Sequence, residues 1–152
     1  MCPGPLPARQ APRVAAVTER QYDALVVDDV GVLSGVRDDE AALLGAAVRA
    51  ARAAGLRTGL LSNAGGCGRP EWPDLFDAVV LSGLAGVAKP DRAAFLLVAE
   101  RLGVAPERCV FVDDLRRNVL GAVAAGMTAV HHRSAQSTLD ELEVLLGVAV
   151  RA

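Results

Sequence analysis

A chain of 152 residues has the length of one domain and can bury about two thirds of its unfolded surface. The composition is 52% hydrophobic but 3% aromatic, so Ala, Val and Leu must fill the core, and a net charge of −2 argues against nucleic acid as a default partner. Cys2, Cys67 and Cys109 are odd in number and lack C-x-x-C spacing, and no apolar run reaches membrane-spanning length. Disulfide and zinc frameworks and a membrane-spanning helix are therefore not expected, and a reducing cytoplasm fits best.

The opening MCPGPLPARQAPR is proline-rich and lacks the apolar centre of a secretory signal. Residues 1–20 read as a flexible tail that turns helical around Val14 to Arg20, and residues 21–152 as one α/β domain. Ala24 to Asp28 is a continuous apolar strand ending in acid. Asp38 to Ala54 follows as a helix, acidic in its first turn, with Gly55 placed to end it. Arg57 to Leu61 is the second strand and Asp77 to Leu81 the third. Asp91 to Leu102 is a helix with Phe95, Leu96, Val98 and Ala99 at helical spacing, stopped by Gly103. Cys109 to Asp113 is the fourth strand, Asn118 to Ala125 a helix, Met127 to His131 the fifth strand and Leu139 to Leu146 the last helix.

Strands without polar alternation, separated by helices, predict a parallel sheet covered on both faces: a doubly wound, Rossmann-like, three-layer α/β/α fold. Such sheets bind ligands beyond the carboxyl ends of their strands, at the topological switch point. Three strands end in suitable side chains: Asp28, Ser62 and Asp113.

Four segments stand against these elements in a fixed order: LVVDDVGVL from Leu25 to Leu33, Leu61-Ser62-Asn63, VAKPD from Val87 to Asp91, and FVDDLRRN from Phe111 to Asn118. Together they resemble the four motifs of the haloacid dehalogenase-like (HAD) hydrolases. The resemblance covers Leu25 to about His131. It implies a phosphatase or phosphotransferase working through an aspartyl phosphate on Asp28, with Mg²⁺ bound by Asp28, the Val30 carbonyl, Asp113 and Asp114. It makes Ser62, Asn63 and Lys89 contacts of the phosphoryl group, Lys89 neutralising its charge. Lys89 is also the sole lysine in an arginine-rich chain, which suggests a local need for a compact ammonium.

Val30 departs from the pattern. Phosphatases of the family usually carry there a second aspartate that protonates the leaving oxygen and then assists water. Such proton transfer is worth about 10²–10⁴-fold in rate, and valine supplies none of it. Asp29 is no substitute, because successive residues of an extended strand face opposite sides. Hydrolysis is therefore expected to be weakened, and a non-catalytic domain that binds a phosphorylated ligand or protein partner is the alternative.

Cap domains of the family are inserted between the first and second motifs, or between the second and third. Here those intervals hold about one helix, and a loop with one strand. The expected site is open, suited to a phosphorylated small molecule or macromolecule, or closed by a lid from another subunit of a homo-oligomer. Gly65 to Gly68, with Pro70 and Trp72, is the expected rim, and Trp72 its packing anchor. Cys67 is read as incidental, His131 and His132 as surface or edge residues, and Asn118 equally as a helix-start residue or a support of the site.

Overall fold

The computed structural model describes residues 20–65 and 68–151. The expected tail at 1–20, apart from Arg20, and Cys67 fall outside them. The elements are β1 (Ala24–Val27), α1 (Asp38–Ala53), β2 (Arg57–Ser62), α2 (Trp72–Leu75), β3 (Ala78–Leu81), α3 (Ser82–Ala85), α4 (Arg92–Leu102), β4 (Cys109–Asp113), α5 (Arg116–Ala124), β5 (Thr128–His131) and α6 (Ala135–Leu146). A short 3₁₀ turn, Pro106–Arg108, precedes β4. The five strands form one parallel sheet in the order β3-β2-β1-β4-β5.

Pleating divides the core. Leu25 and Val27 of β1 face the layer of α1 and α6, where Leu44, Val48, Leu139 and Leu142 are buried. Ala24 and Val26 face the other layer, against Phe95 and Val98 of α4 and Ala122 of α5. The expected doubly wound architecture is thus present. Among the described residues no helix is long and apolar enough to cross a membrane.

Topology fixes where a site can form. After β1 the chain moves outward to β2 and β3, then returns past β1 to place β4 on its other side. The switch point lies between β1 and β4. Their register pairs Val27 with Val112, and the Asp28 N–H continues the ladder by donating to the Val112 carbonyl at 3.0 Å. One further step brings Asp28 level with Asp113.

Boundaries differ from the sequence reading in two informative places. The last helix begins at Ala135, a turn earlier than Leu139, because the Ser134 side chain caps it by accepting the Ser137 N–H. The helix after β4 begins at Arg116, which puts Asn118 inside its first turn. The rim also contains two single-turn helices, α2 and α3, too short to show a periodicity.

Candidate functional site

The carboxyl ends of β1 and β4 carry Asp28 and Asp113 side by side, both buried. Between them stands Lys89, from the turn ahead of α4. Its ammonium donates to Asp28 Oδ1 at 2.8 Å and to Asp113 Oδ2 at 2.7 Å, and it lies 5.5 Å from the centre of the Phe111 ring. Such close carboxylates repel, so the shared cation makes the arrangement tolerable. Burial pushes the Asp28 carboxyl up to about 6, with Lys89 opposing and Asp113 adding to the shift.

The lysine is held at its backbone. Asn63, just beyond β2, accepts the Lys89 N–H on Oδ1 at 2.8 Å and donates Nδ2 to the Lys89 carbonyl at 2.9 Å. Asn63, expected to touch phosphate, therefore has both ends of its amide committed to Lys89. Gly121 of α5 allows the same turn to pack closely, since a Cβ there would come 2.7 Å from the Pro90 carbonyl oxygen. Sequence reasoning missed this contact; the signal is a glycine inside an otherwise ordinary helix.

Asp113 is oriented from three directions. Its Oδ1 accepts the Leu115 N–H at 2.9 Å, and its Oδ2 accepts Asn118 Nδ2 at 3.1 Å as well as the lysine. Of the two readings of Asn118, the supporting one matches this contact. Ser62 ends β2, buried; its Oγ accepts the Ala64 N–H at 3.1 Å, which leaves the hydroxyl proton available for a further acceptor.

Asp114 completes an acidic group. One oxygen from each of Asp28, Asp113 and Asp114 can be chosen so that all lie within 4.8 Å of one another. Asp114 Oδ1 is buried without a hydrogen-bond partner, and burial raises the pKa of this carboxyl. Gly31, at φ +94°, makes room for it: a Cβ there would meet the Asp114 carboxylate at 2.4 Å. Three converging carboxylates, with an unpartnered oxygen on Asp114, suit a hard, oxygen-seeking divalent cation such as Mg²⁺.

Asp29 turns the other way, as the pleat requires. Its carboxylate accepts Ser34 Oγ at 2.9 Å and Arg69 Nη2 at 3.3 Å. Its carbonyl accepts the N–H groups of Val32, Leu33 and Ser34, which reverses the chain after β1. Beside it, between α1 and α2, a cavity of about 280 Å³ is lined by Asp29, Leu33, Arg49, Arg69, Trp72 and Leu75. Trp72 is buried there in the core, as its anchoring role requires. Val30 is exposed and packs towards Gly35.

The two histidines separate. His131 is partly buried, its Nε2 2.9 Å from the Asp114 carbonyl. His132, expected at the surface or edge, is instead buried, with Nδ1 2.7 Å from Thr138 Oγ1. Two features bring it inward: its N–H continues the ladder to the Asp113 carbonyl at 2.8 Å, and α6 starts early enough to cover it. Burial lowers its pKa. Cys109 is buried as well, and burial pushes its thiol up to about 12, so it has no thiolate character at neutral pH.

Residues 10–126 match the family model of the haloacid dehalogenase-like hydrolases. A crystal structure of an uncharacterized protein from Corynebacterium glutamicum is 36% identical, covers 84% of this chain and 96% of its own, and superposes with a TM-score of 0.76. Acyl-CoA dehydrogenase family member 10 of Mus musculus is 36% identical over 106 residues, 66% of this chain and 10% of that protein. Sesquiterpene phosphatase astK of Aspergillus oryzae is 38% identical over 77 residues, 51% of this chain and 39% of that protein. The chain thus spans well under half of these two curated relatives, and shorter matches include further proteins named as phosphatases. The family match covers most of the chain and includes all four motif segments, so this chain belongs to the haloacid dehalogenase-like hydrolase family.

Proposed function

We propose that this chain is an Mg²⁺-dependent phosphohydrolase or phosphotransferase that works through a phosphoryl group carried on Asp28. The observation that supports it most is the buried convergence of Asp28, Lys89 and Asp113 at the switch point, with the Ser62 hydroxyl on the neighbouring strand. Family membership and the phosphatase names of several relatives agree with it.

Asp28 attacks phosphorus, an oxygen–phosphorus bond forms, and the bond to the leaving oxygen breaks with its electron pair. Water then attacks phosphorus, frees phosphate and restores the carboxylate; a different acceptor makes the reaction a phosphotransfer. With its carboxyl near 6, Asp28 is largely ionised at neutral pH. Lys89 balances the negative charge that nucleophile and phosphoryl group share, and Ser62 donates to a phosphoryl oxygen. Asn63 and Asn118 are positioning residues, acting on Lys89 and Asp113 respectively. Mg²⁺ would be held by Asp28 and Asp113, with Asp114 and the Val30 carbonyl as further donors, and would neutralise charge between carboxylate and phosphoryl group. The described chain between β1 and β2 holds one long helix, α1, which favours a domain without a sizeable cap and an open site.

Val30 shapes the expected activity. It offers no proton to the leaving oxygen, and Asp29 is engaged with Ser34 and Arg69. Weakly basic leaving groups should turn over and alkyl phosphates poorly. The test is phosphate release from p-nitrophenyl phosphate with Mg²⁺; activity that survives Asp28→Asn would sink the assignment. Val30 also favours a second reading, a domain that binds phosphorylated ligands without turnover. That reading predicts Mg²⁺-dependent binding of beryllofluoride and no release from p-nitrophenyl phosphate.

A further inference from the structure

Asp28 is buried beneath the carboxyl edge of the sheet, so its attack on phosphorus comes from within. In-line displacement then sends the leaving group outward, across the loops that follow the strands. Large apolar side chains are exposed on three of these loops: Val30 after β1 at 57%, Leu84 after β3 at 64%, and Leu115 after β4 at 41%. Exposed apolar residues occur elsewhere, Leu43 and Val144 among them, and singly they carry no meaning. Position is what distinguishes these three.

Each is tied to the site. Val30 lies two residues past Asp28. The Leu115 N–H donates to Asp113 Oδ1 at 2.9 Å. Leu84 shares a single-turn helix with Ser82, whose hydroxyl donates at 2.8 Å to the carbonyl of Asn63, the residue that clamps Lys89. Neighbouring strands lie about 4.8 Å apart, so the loops after β3 and β4, with β2 and β1 between them, stand roughly 14 Å apart. That width admits a ring or a branched chain.

Several polar side chains of the same edge are already paired within the protein. Asn63 is spent on Lys89, Ser82 on Asn63, and Ser34 and Arg69 on Asp29. A sugar or polyol would find these donors and acceptors already engaged and, at an open site, would gain little over its hydrogen bonds to water. An apolar body meets surfaces that gain by leaving water.

From this geometry, and resting on the reading of Asp28 as nucleophile, we infer that the site selects phosphoryl donors whose leaving group carries an apolar body seated on Val30, Leu84 and Leu115. Arg116 and Arg117 are exposed beside Leu115 and would attract any anion, so the test must hold charge constant.

Benzylphosphonate and methylphosphonate meet that need: each has an uncleavable carbon–phosphorus bond and the same charge. Titration calorimetry of the Mg²⁺-loaded protein should give roughly tenfold or tighter binding of the benzyl compound, the size expected for burying most of a ring. Leu84→Ser and Leu115→Ser change exposed residues and should leave the fold intact. Each should shrink that preference, and Leu84→Ser should leave methylphosphonate affinity unchanged. Equal affinities, a preference that neither variant alters, or no binding of either compound would overturn the inference. Turnover of p-nitrophenyl phosphate, measured in parallel, judges the nucleophile separately. Turnover without the benzyl preference removes the rim and keeps the reaction; the preference without turnover does the reverse.

Discussion

Asp28 and Asp29 are neighbours at the end of one strand, both buried, and they belong to different regions of the molecule. Asp28 continues the face covered by α4 and α5, where it meets an ammonium, a second carboxylate and an acidic group open to a cation. Asp29 continues the face covered by α1 and α6, where a hydroxyl and a guanidinium satisfy it and its carbonyl turns the chain. The same side chain thus serves charge chemistry on one face and loop architecture on the other. The difference lies in what surrounds each carboxylate. Around Asp28 the structure concentrates like charges against burial; around Asp29 every contact is an ordinary neutralising one.

The comparison can be broken most sharply at the nucleophile. Asp28→Asn should lower kcat on p-nitrophenyl phosphate by at least about 10³-fold, whereas Asp29→Asn should change it only a few-fold. Steady-state kinetics on the two variants would show it, and similar losses would erase the distinction. Next in size, Val30→Asp should raise kcat on alkyl phosphates by about 10²-fold or more, the contribution of a general acid restored beside an intact site. No gain would mean that the Asp28 side lacks more than its acid.

The Asp29 side should respond in stability. Asp29→Ala leaves the Ser34 hydroxyl and the Arg69 guanidinium without their acceptor, and should cost about 1–3 kcal/mol in a denaturant titration. The Asp28 side should respond instead to pH. Folding raises the Asp28 carboxyl from 3.8 to about 6, so the folded chain holds that proton more tightly than the unfolded one. The contribution of Asp28 to stability is full below 3.8 and is lost as pH rises through 6, in the absence of metal. Mg²⁺ favours the charged form, so its affinity should fall about tenfold for each pH unit below 6. Calorimetry between pH 5 and pH 7 would measure this.

Much of the Asp28 side was legible in the sequence, because strand ends in a parallel sheet converge by register and Asp28, Ser62 and Asp113 stand at those ends. Lys89, in the turn ahead of α4, follows instead from the resemblance of the four segments to the motifs of the family. Less legible were the supports. Asn63 binds Lys89 across 26 positions of the chain, and Gly121 makes room for a turn from another element; neither contact has a local periodicity to announce it. Arg69 reaching Asp29 depends on the path of the loop after β2, and His132 is buried by a helix whose cap, Ser134, carries no apolar signal. Local pattern names the elements; close approach between elements decides the contacts.

The most direct test of the central claim is the site of covalent phosphorylation. The protein would be mixed with Mg²⁺ and p-nitrophenyl phosphate, quenched in acid and mapped by mass spectrometry. With no acid at Val30 to assist water, one phosphoryl group should accumulate on Asp28, and none should appear in Asp28→Asn. A phosphoryl group on Asp29, or label that persists in Asp28→Asn, would contradict the account.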